Sequence, residues 1–150
     1  MIAADVVRGV CRMLLRDHDS VAIGEVPLAG GRRADLMAID ARGEIVIVEI
    51  KVSRADLLGD CKWTEYLDHC DRFFWAVPSG FDLSPFETEA FLPARAGLIV
   101  ADRYDAAILR DAACVALPAA TRKRCTLAFG RRAARRVLAM LDPESAAILP

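Results

Sequence analysis

Hydrophobic positions recur along this chain with two different periods, and the changes between them mark its elements. Val6, Val7, Val10, Cys11, Leu14 and Leu15 repeat every three or four residues with Arg8, Arg12 and Arg16 opposite, which predicts an amphipathic helix over residues 3–17. Ser20 to Leu28 is short, β-branched and closed by Pro27 and Gly30-Gly31, the pattern of a strand and a turn. RADLMAID and EIVIVEIK are separated by Ala41-Arg42-Gly43, which predicts a hairpin whose loop ends in a left-handed glycine. Ser53-x-x-Asp56 has the form of a helix start, and the proline-free residues after it predict a helix to about Cys70. FFWAVP then reads as a short buried strand. Ser84-Pro85-Phe86-Glu87 opens a short helix to about Phe91, and residues 97–101 and 106–109 read as strands around the turn Asp102 to Asp105. In a final helix Ala134, Val137, Leu138 and Leu141 form an apolar stripe, with Arg131, Arg132, Arg135 and Arg136 on the opposite face and Asp142-Pro143 as the stop.

The order helix, three strands, helix, strand, followed by a smaller αββα addition, predicts an α/β sandwich with a mixed sheet flanked by helices. At 150 residues, 55% hydrophobic and 27% charged, the chain suits one domain over 1–150, with a core at about 3–78 and a C-terminal extension at about 84–142. The longest uncharged run, Ala112 to Thr121, is about half of what a membrane span needs. Charges also interrupt the apolar positions of the N-terminus, so no secretory signal is expected and the cytoplasm is the expected compartment. Cys11, Cys61, Cys70, Cys114 and Cys125 form no C-x-x-C pair, and with only His18 and His69 there is no zinc-site spacing; reduced, mostly buried thiols are expected.

The net charge of −1 conceals a segregation. Arg122 to Arg136 holds seven basic residues and no acidic one; taking those seven from the 20 basic residues leaves 13 against 21 acidic ones, near −8. A polyanion would therefore have to meet a local patch.

Chemistry concentrates at the hairpin. A loop at 41–43 sets Asp35 opposite Glu49, with β-carbons about 5 Å apart on one face, and the period of two along a strand adds Lys51 to that face. The neighbours Ile45, Val46, Ile47, Val48 and Ile50 are apolar on both faces, which places the carboxylates at the margin of a buried sheet. Two carboxylates at that distance repel by about 3 kcal/mol at an effective dielectric near 20, so either one holds a proton or a cation lies between them. Oxygen ligands select hard cations, and Mg²⁺ is commonly held by one or two carboxylates plus water and substrate phosphate. With Lys51 to orient water or stabilise a phosphate, the set suits metal-assisted phosphodiester hydrolysis. The competing reading is an ion cluster in which Lys51 neutralises both acids. Glu25, in the alternation Val21, Ile23, Glu25, is either a third acid of the same site or a solvated strand end.

The spacing Asp35, then Glu49-Ile50-Lys51 across a hairpin, resembles the PD-(D/E)XK nuclease core, with Ala34 where that pattern often has proline. The resemblance implies a restriction-endonuclease-like αβββαβ core in which Asp35, Glu49 and the backbone carbonyl of Ile50 bind Mg²⁺ or Mn²⁺ and Lys51 assists the attacking water. Lys62-x-x-x-Tyr66 resembles the Q-x-x-x-Y motif of the RecB-like and phage exonuclease branches, with Lys in place of Gln. More closely, the run from RADLMAID through VEIKVSRADLLGDCKWTEYLDHCDRFFWAV, with the arginine-rich last helix, resembles bacterial MmcB-type DNA repair proteins. That closer resemblance implies a role in DNA repair rather than cleavage as such; joined to the nuclease-like core, it leads us to expect a metal-dependent nuclease acting on DNA near the nucleoid, among other repair proteins. Nucleases of the superfamily are often dimeric when they cut two strands, which leaves a homodimer open.

Arg32 and Arg33, ahead of the hairpin, and Arg131, Arg132, Arg135 and Arg136 are the candidate phosphate contacts, against a solvated turn and a charged outer face. Trp63, Trp75, Phe73 and Phe74 read as core. The alternative to an enzyme is an inactive nucleic-acid-binding or partner-docking module of the same fold.

Overall fold

Six strands form one sheet in chain order: β1 (Ser20–Pro27), β2 (Arg33–Asp40), β3 (Ile45–Ile50), β4 (Arg72–Pro78), β5 (Gly97–Ala101) and β6 (Ala106–Arg110). The first three are antiparallel, β3, β4 and β5 run parallel, and β6 returns antiparallel. This is the mixed α/β sheet expected, and the two strands of the C-terminal addition extend it. The computed structural model describes residues 1–148, so the last two residues of the single domain expected over 1–150 lie outside the described range. The hairpin register is the one the loop predicts: Leu36 faces Val48, Met37 faces Ile47 and Ile39 faces Ile45, with Gly43 at φ 86°.

Each face of the sheet carries a core. Helix α1 (Ala3–His18) lays Val6, Val10, Met13 and Leu14 on Leu36, Ala38, Val48, Phe74 and Ile99. Met13 takes the place expected of Leu15, which is exposed. Gly9 permits the close approach of α1 to the β5–β6 turn, since a Cβ there would collide with the Asp102 carbonyl oxygen. On the opposite face Met37, Ile47, Phe73 and Trp75 pack with Trp63, Tyr66, Phe86 and Phe91, and the four aromatic residues read as core are buried.

Several expectations change. The helix expected from Ser53 to Cys70 is two pieces, α2 (Arg54–Leu58) and a 3₁₀ segment at Trp63–His69. Ser53 Oγ caps the Asp56 N–H at 3.1 Å as predicted, but Gly59 ends the helix, and the second piece winds at three residues per turn to bury Trp63 and Tyr66 together. Ser84 likewise opens two short 3₁₀ turns rather than an α-helix, its hydroxyl bonding Asp82 instead of capping. Of the five thiols, only Cys70 and Cys125 are buried; Cys61 and Cys114 are exposed.

The last helix, α3 (Ala119–Leu141), starts well before its expected stripe and is inverted. Cys125 and Phe129 turn inward, while Val137, Leu138 and Leu141 are exposed. Asp71, just before β4, fixes this helix. Its carboxylate accepts the N–H groups of Ile45 and Leu117 at 2.8 and 2.9 Å and both terminal nitrogens of Arg122 at 2.7 and 2.6 Å. Arg122 also donates to the Gly43 carbonyl at 2.8 Å, joining α3 to the hairpin loop. Burial alone would raise the Asp71 pKa, but Arg122 and the two N–H groups hold it below the usual aspartate value.

Asp71→Ala is expected to lower unfolding free energy by about 3–5 kcal/mol in urea titrations, because it strands a partly buried guanidinium and two backbone donors. The depressed carboxyl stabilises the fold above the unfolded aspartate value of 3.8 and loses that effect as pH falls through its folded value. The wild-type protein should therefore lose stability below about pH 4 more steeply than Asp71→Ala.

Candidate active site

The β2–β3 ladder ends at Leu36 and Val48, and beyond that pair β2 stays with β1 while β3 stays with β4. Asp35 and Glu49 are the next residues on each strand, and they take over the hydrogen bonds that the parting backbones lose. The Asp35 N–H donates to Glu49 Oε1 at 2.9 Å, and the Ile50 N–H donates to Asp35 Oδ2 at 2.9 Å. Apart from the proton that the two carboxyls share, Asp35 Oδ1 and Glu49 Oε2 take no hydrogen bond from a backbone or side-chain donor among the described residues. The pair thus has one oxygen committed to structure and one spare on each side.

Glu49 is 2% exposed. Burial first, then the charge of Asp35 and a side-chain hydrogen bond to it, push its pKa up to about 9, against a lowering effect from Lys51. Near neutral pH the buried carboxyl therefore keeps a proton. A divalent cation would displace that proton, so the two spare oxygens fit a hard metal ion on charge, donor type and burial. Among the described residues no group of three or more His, Cys, Asp or Glu side chains has metal-binding placement. The site would be of the two-carboxylate kind that Mg²⁺ accepts, completed by water and substrate oxygens.

The pair lies in a cleft of about 870 Å³ whose wall also includes Glu25, Ile50, Lys51, Asp56, Asp60 and Tyr66, with the first turns of α1 on one side and Arg132 and Arg136 of α3 on another. Lys51, 7% exposed, shares the cleft but pairs with Asp60 at 3.3 Å and Asp56 at 3.8 Å. These two acids were missed because the sequence reads as one helix through Gly59, whereas the helix ends at Leu58 and Asp60 comes back to Lys51. Asp60 is shared with Arg32 at 3.5 Å, and Arg32 in turn binds Glu65 at 2.8 Å and lies 5.0 Å from the Tyr66 ring centre. Arg32 is therefore engaged within the fold, whereas Arg33 is exposed beside Glu25 at 3.9 Å.

Lys62 and Tyr66 do not share a face. The 3₁₀ winding turns Tyr66 into the cleft wall, its hydroxyl donating to the Arg33 carbonyl at 3.2 Å, and leaves Lys62 exposed. Glu25 lines the cleft with a side chain 63% exposed and a backbone φ of 54°, a left-handed conformation that costs energy for a residue with a Cβ. The four arginines of α3 also divide. Arg132 and Arg136 face the cleft, with Arg136 donating to the Glu25 carbonyl at 3.3 Å and Arg132 Nε buried without a partner among the described residues. Arg131 and Arg135 border a shallow groove with Ala134 and Leu138 on the outer side.

The model of a family described as DNA repair protein MmcB-like matches residues 2–144. No curated protein matches the chain. A solved structure of a protein of unknown function from Silicibacter pomeroyi is 43% identical, with a TM-score of 0.86 over 96% of this chain and 94% of that one. No described helix is long and apolar enough to cross a membrane.

The raised Glu49 pKa sets a pH dependence. Unfolded, the carboxyl ionises around its ordinary value of 4.5; folded, it holds its proton to about 9, so its contribution is fully present at low pH and falls between those limits. The loss is at most about 1.4 kcal/mol per pH unit for one proton. Glu49→Gln, permanently neutral, should show a flatter stability profile between pH 5 and 9 in metal-free urea titrations.

Proposed function

Because the chain belongs to the MmcB-like family of DNA repair proteins, we propose that it is a divalent-metal-dependent deoxyribonuclease with the PD-(D/E)XK arrangement. The observation that carries the reading is the buried Asp35–Glu49 pair, each acid with one spare oxygen, beside Lys51 in a cleft faced by two arginines. Asp35 and Glu49, with the Ile50 carbonyl, would hold Mg²⁺ or Mn²⁺, which when bound supplies Lewis-acid polarisation of the phosphodiester and an acidified water.

The chain's own residues supply the rest. Lys51, held by Asp60 and Asp56, keeps an ammonium at the cleft wall to orient water and stabilise charge developing on phosphate oxygens. Arg132 and Arg136 balance the acidic wall and position the phosphate backbone; exposed Arg33 extends the basic edge. Tyr66 fixes the start of β2 through the Arg33 carbonyl, so it is a positioning residue. Glu25 stays outside the carboxylate pair and would reach bound metal through water. A DNA substrate places the protein at the nucleoid in the cytoplasm, alongside other repair proteins.

A second reading, DNA binding without turnover, draws on the engagement of Lys51 by two acids. Incubation of purified protein with labelled single-stranded, duplex, flapped and four-way DNA, and with RNA, in Mg²⁺ or Mn²⁺ separates the two. Cleavage is expected, lost with Glu49→Ala and reduced about 10²- to 10⁴-fold by Lys51→Ala. Calorimetry should show Mn²⁺ binding to the wild type and none to Glu49→Ala. Salt-sensitive DNA binding with no cleavage in either metal would favour the binding module, and unchanged Mn²⁺ affinity in Glu49→Ala would sink the metal assignment.

A further inference from the structure

The outer face of α3 has no counterpart among the described residues. Leu127, Leu138 and Leu141 are 54%, 44% and 80% exposed, and Val137 beside them is 55% exposed. At 3.6 residues per turn Leu127, Ala134, Leu138 and Leu141 fall on one line along the helix, with Gly130 at its edge. A Cβ at Gly130 would meet nothing within 4 Å. Glycine inside a helix is unfavourable relative to alanine, and no contact among the described residues requires it here.

We propose that this face is the interface of a homodimer in which α3 packs antiparallel on the α3 of a second copy. The seam is self-complementary when centred on Ala134, as a two-fold contact requires. Leu127 then lies against the partner's Leu141, Ala134 meets the partner's Ala134, and Leu138 enters the space over the partner's Gly130. Small residues at the centre let two backbones approach, and the leucines close each end.

Charge selects a second copy and its direction. Residues 122–136 carry no acid, so a parallel arrangement would set basic flank against basic flank along its whole length. The antiparallel arrangement instead brings Lys123 and Arg124 at the start of each helix to the partner's Asp142 and Glu144 just past its end. Arg131 and Arg135 flank the centre, where their long side chains can keep the charges in water while the stems cover the seam. Arg132 and Arg136 point the other way, into the cleft, so the dimer leaves both candidate sites open and buttresses the helix that carries their arginines. The proposal stands whether or not the cleft cleaves DNA.

Sedimentation equilibrium of the whole protein across micromolar to millimolar concentration is the test. A dimer is expected, weakened at least about tenfold by Leu138→Asp, as charging a central buried anchor does. Leu138 is partly exposed in the single chain, so that variant should fold, and an unchanged circular dichroism melt at low concentration checks it. Lys123→Glu should also weaken the dimer, and adding Glu144→Lys should restore it. Those two residues are about 30 Å apart along one chain at roughly 1.5 Å per helical residue, so only an antiparallel partner can couple them. A chain that stays monomeric throughout, its outer face serving some other protein or a lipid surface, overturns the proposal. So does a dimer indifferent to Leu138→Asp, or a charge swap that fails to rescue.

Discussion

One carboxylate, Asp71, determines where the second layer of this protein sits. It lies where β4 begins, so it can reach the start of β3 on one side and the chain entering α3 on the other, and it bonds both. Arg122 completes the set and carries the connection to the hairpin loop at Gly43. A helix of 23 residues is thereby anchored near its first turn, with Cys125 and Phe129 as its main apolar contacts. Direction follows from that anchor. The helix crosses the sheet face from the loop end of the hairpin toward the end where β2 and β3 part, and its fourth and fifth turns arrive over the acidic cleft.

The cleft exists because the sheet splits there. An antiparallel ladder that continued past Leu36 and Val48 would bury its backbone groups in pairs and leave no opening. The strands instead follow different neighbours, and the orphaned N–H groups of Asp35 and Ile50 need acceptors. Carboxylates supply them at the cost of placing two acids together in a poorly hydrated recess, which is why Glu49 holds its proton so tightly. Fold and proposed chemistry therefore share one device: the bonds that terminate the ladder also orient the spare oxygens that the proposed metal ion would use. Lys51 is kept from collapsing onto the pair by Asp60 and Asp56, which hold the ammonium across the cleft.

The sheet was legible because its signals are local. The three-residue loop sets the register that puts Asp35 opposite Glu49, and the unbroken apolar run of β3 reports burial on both faces. The family resemblance rests on those same residues. What escaped depended on distant partners. Gly59 is an ordinary stop signal, but the apolar residues beyond it keep a helical look, and only the 3₁₀ winding that buries Trp63 and Tyr66 together separates Lys62 from Tyr66. Asp56 and Asp60 were hidden by the same misjudged helix. Asp71 carries no sequence signal at all, since its four donors come from Ile45, Leu117 and Arg122.

The inversion of α3 shows why hydrophobic periodicity alone could not orient it. A stripe of leucines opposite arginines implies apolar inside and charged outside, which holds when the surface beneath a helix is apolar. Beneath the second half of α3 it is not: the cleft offers Glu25, Asp35, Glu49 and Asp60, and a low-dielectric recess lined with acids attracts guanidinium groups more strongly than it attracts leucine. The switch occurs within the helix. Cys125 and Phe129 cover the core, then Arg132 and Arg136, on the same line one and two turns later, cover the cleft. Arg131 and Arg135 are each rotated by about 100° from their neighbours and remain outside. Four adjacent arginines thus serve two surfaces, and the leucines displaced to the outer one are the consequence of placing positive charge where the acids are.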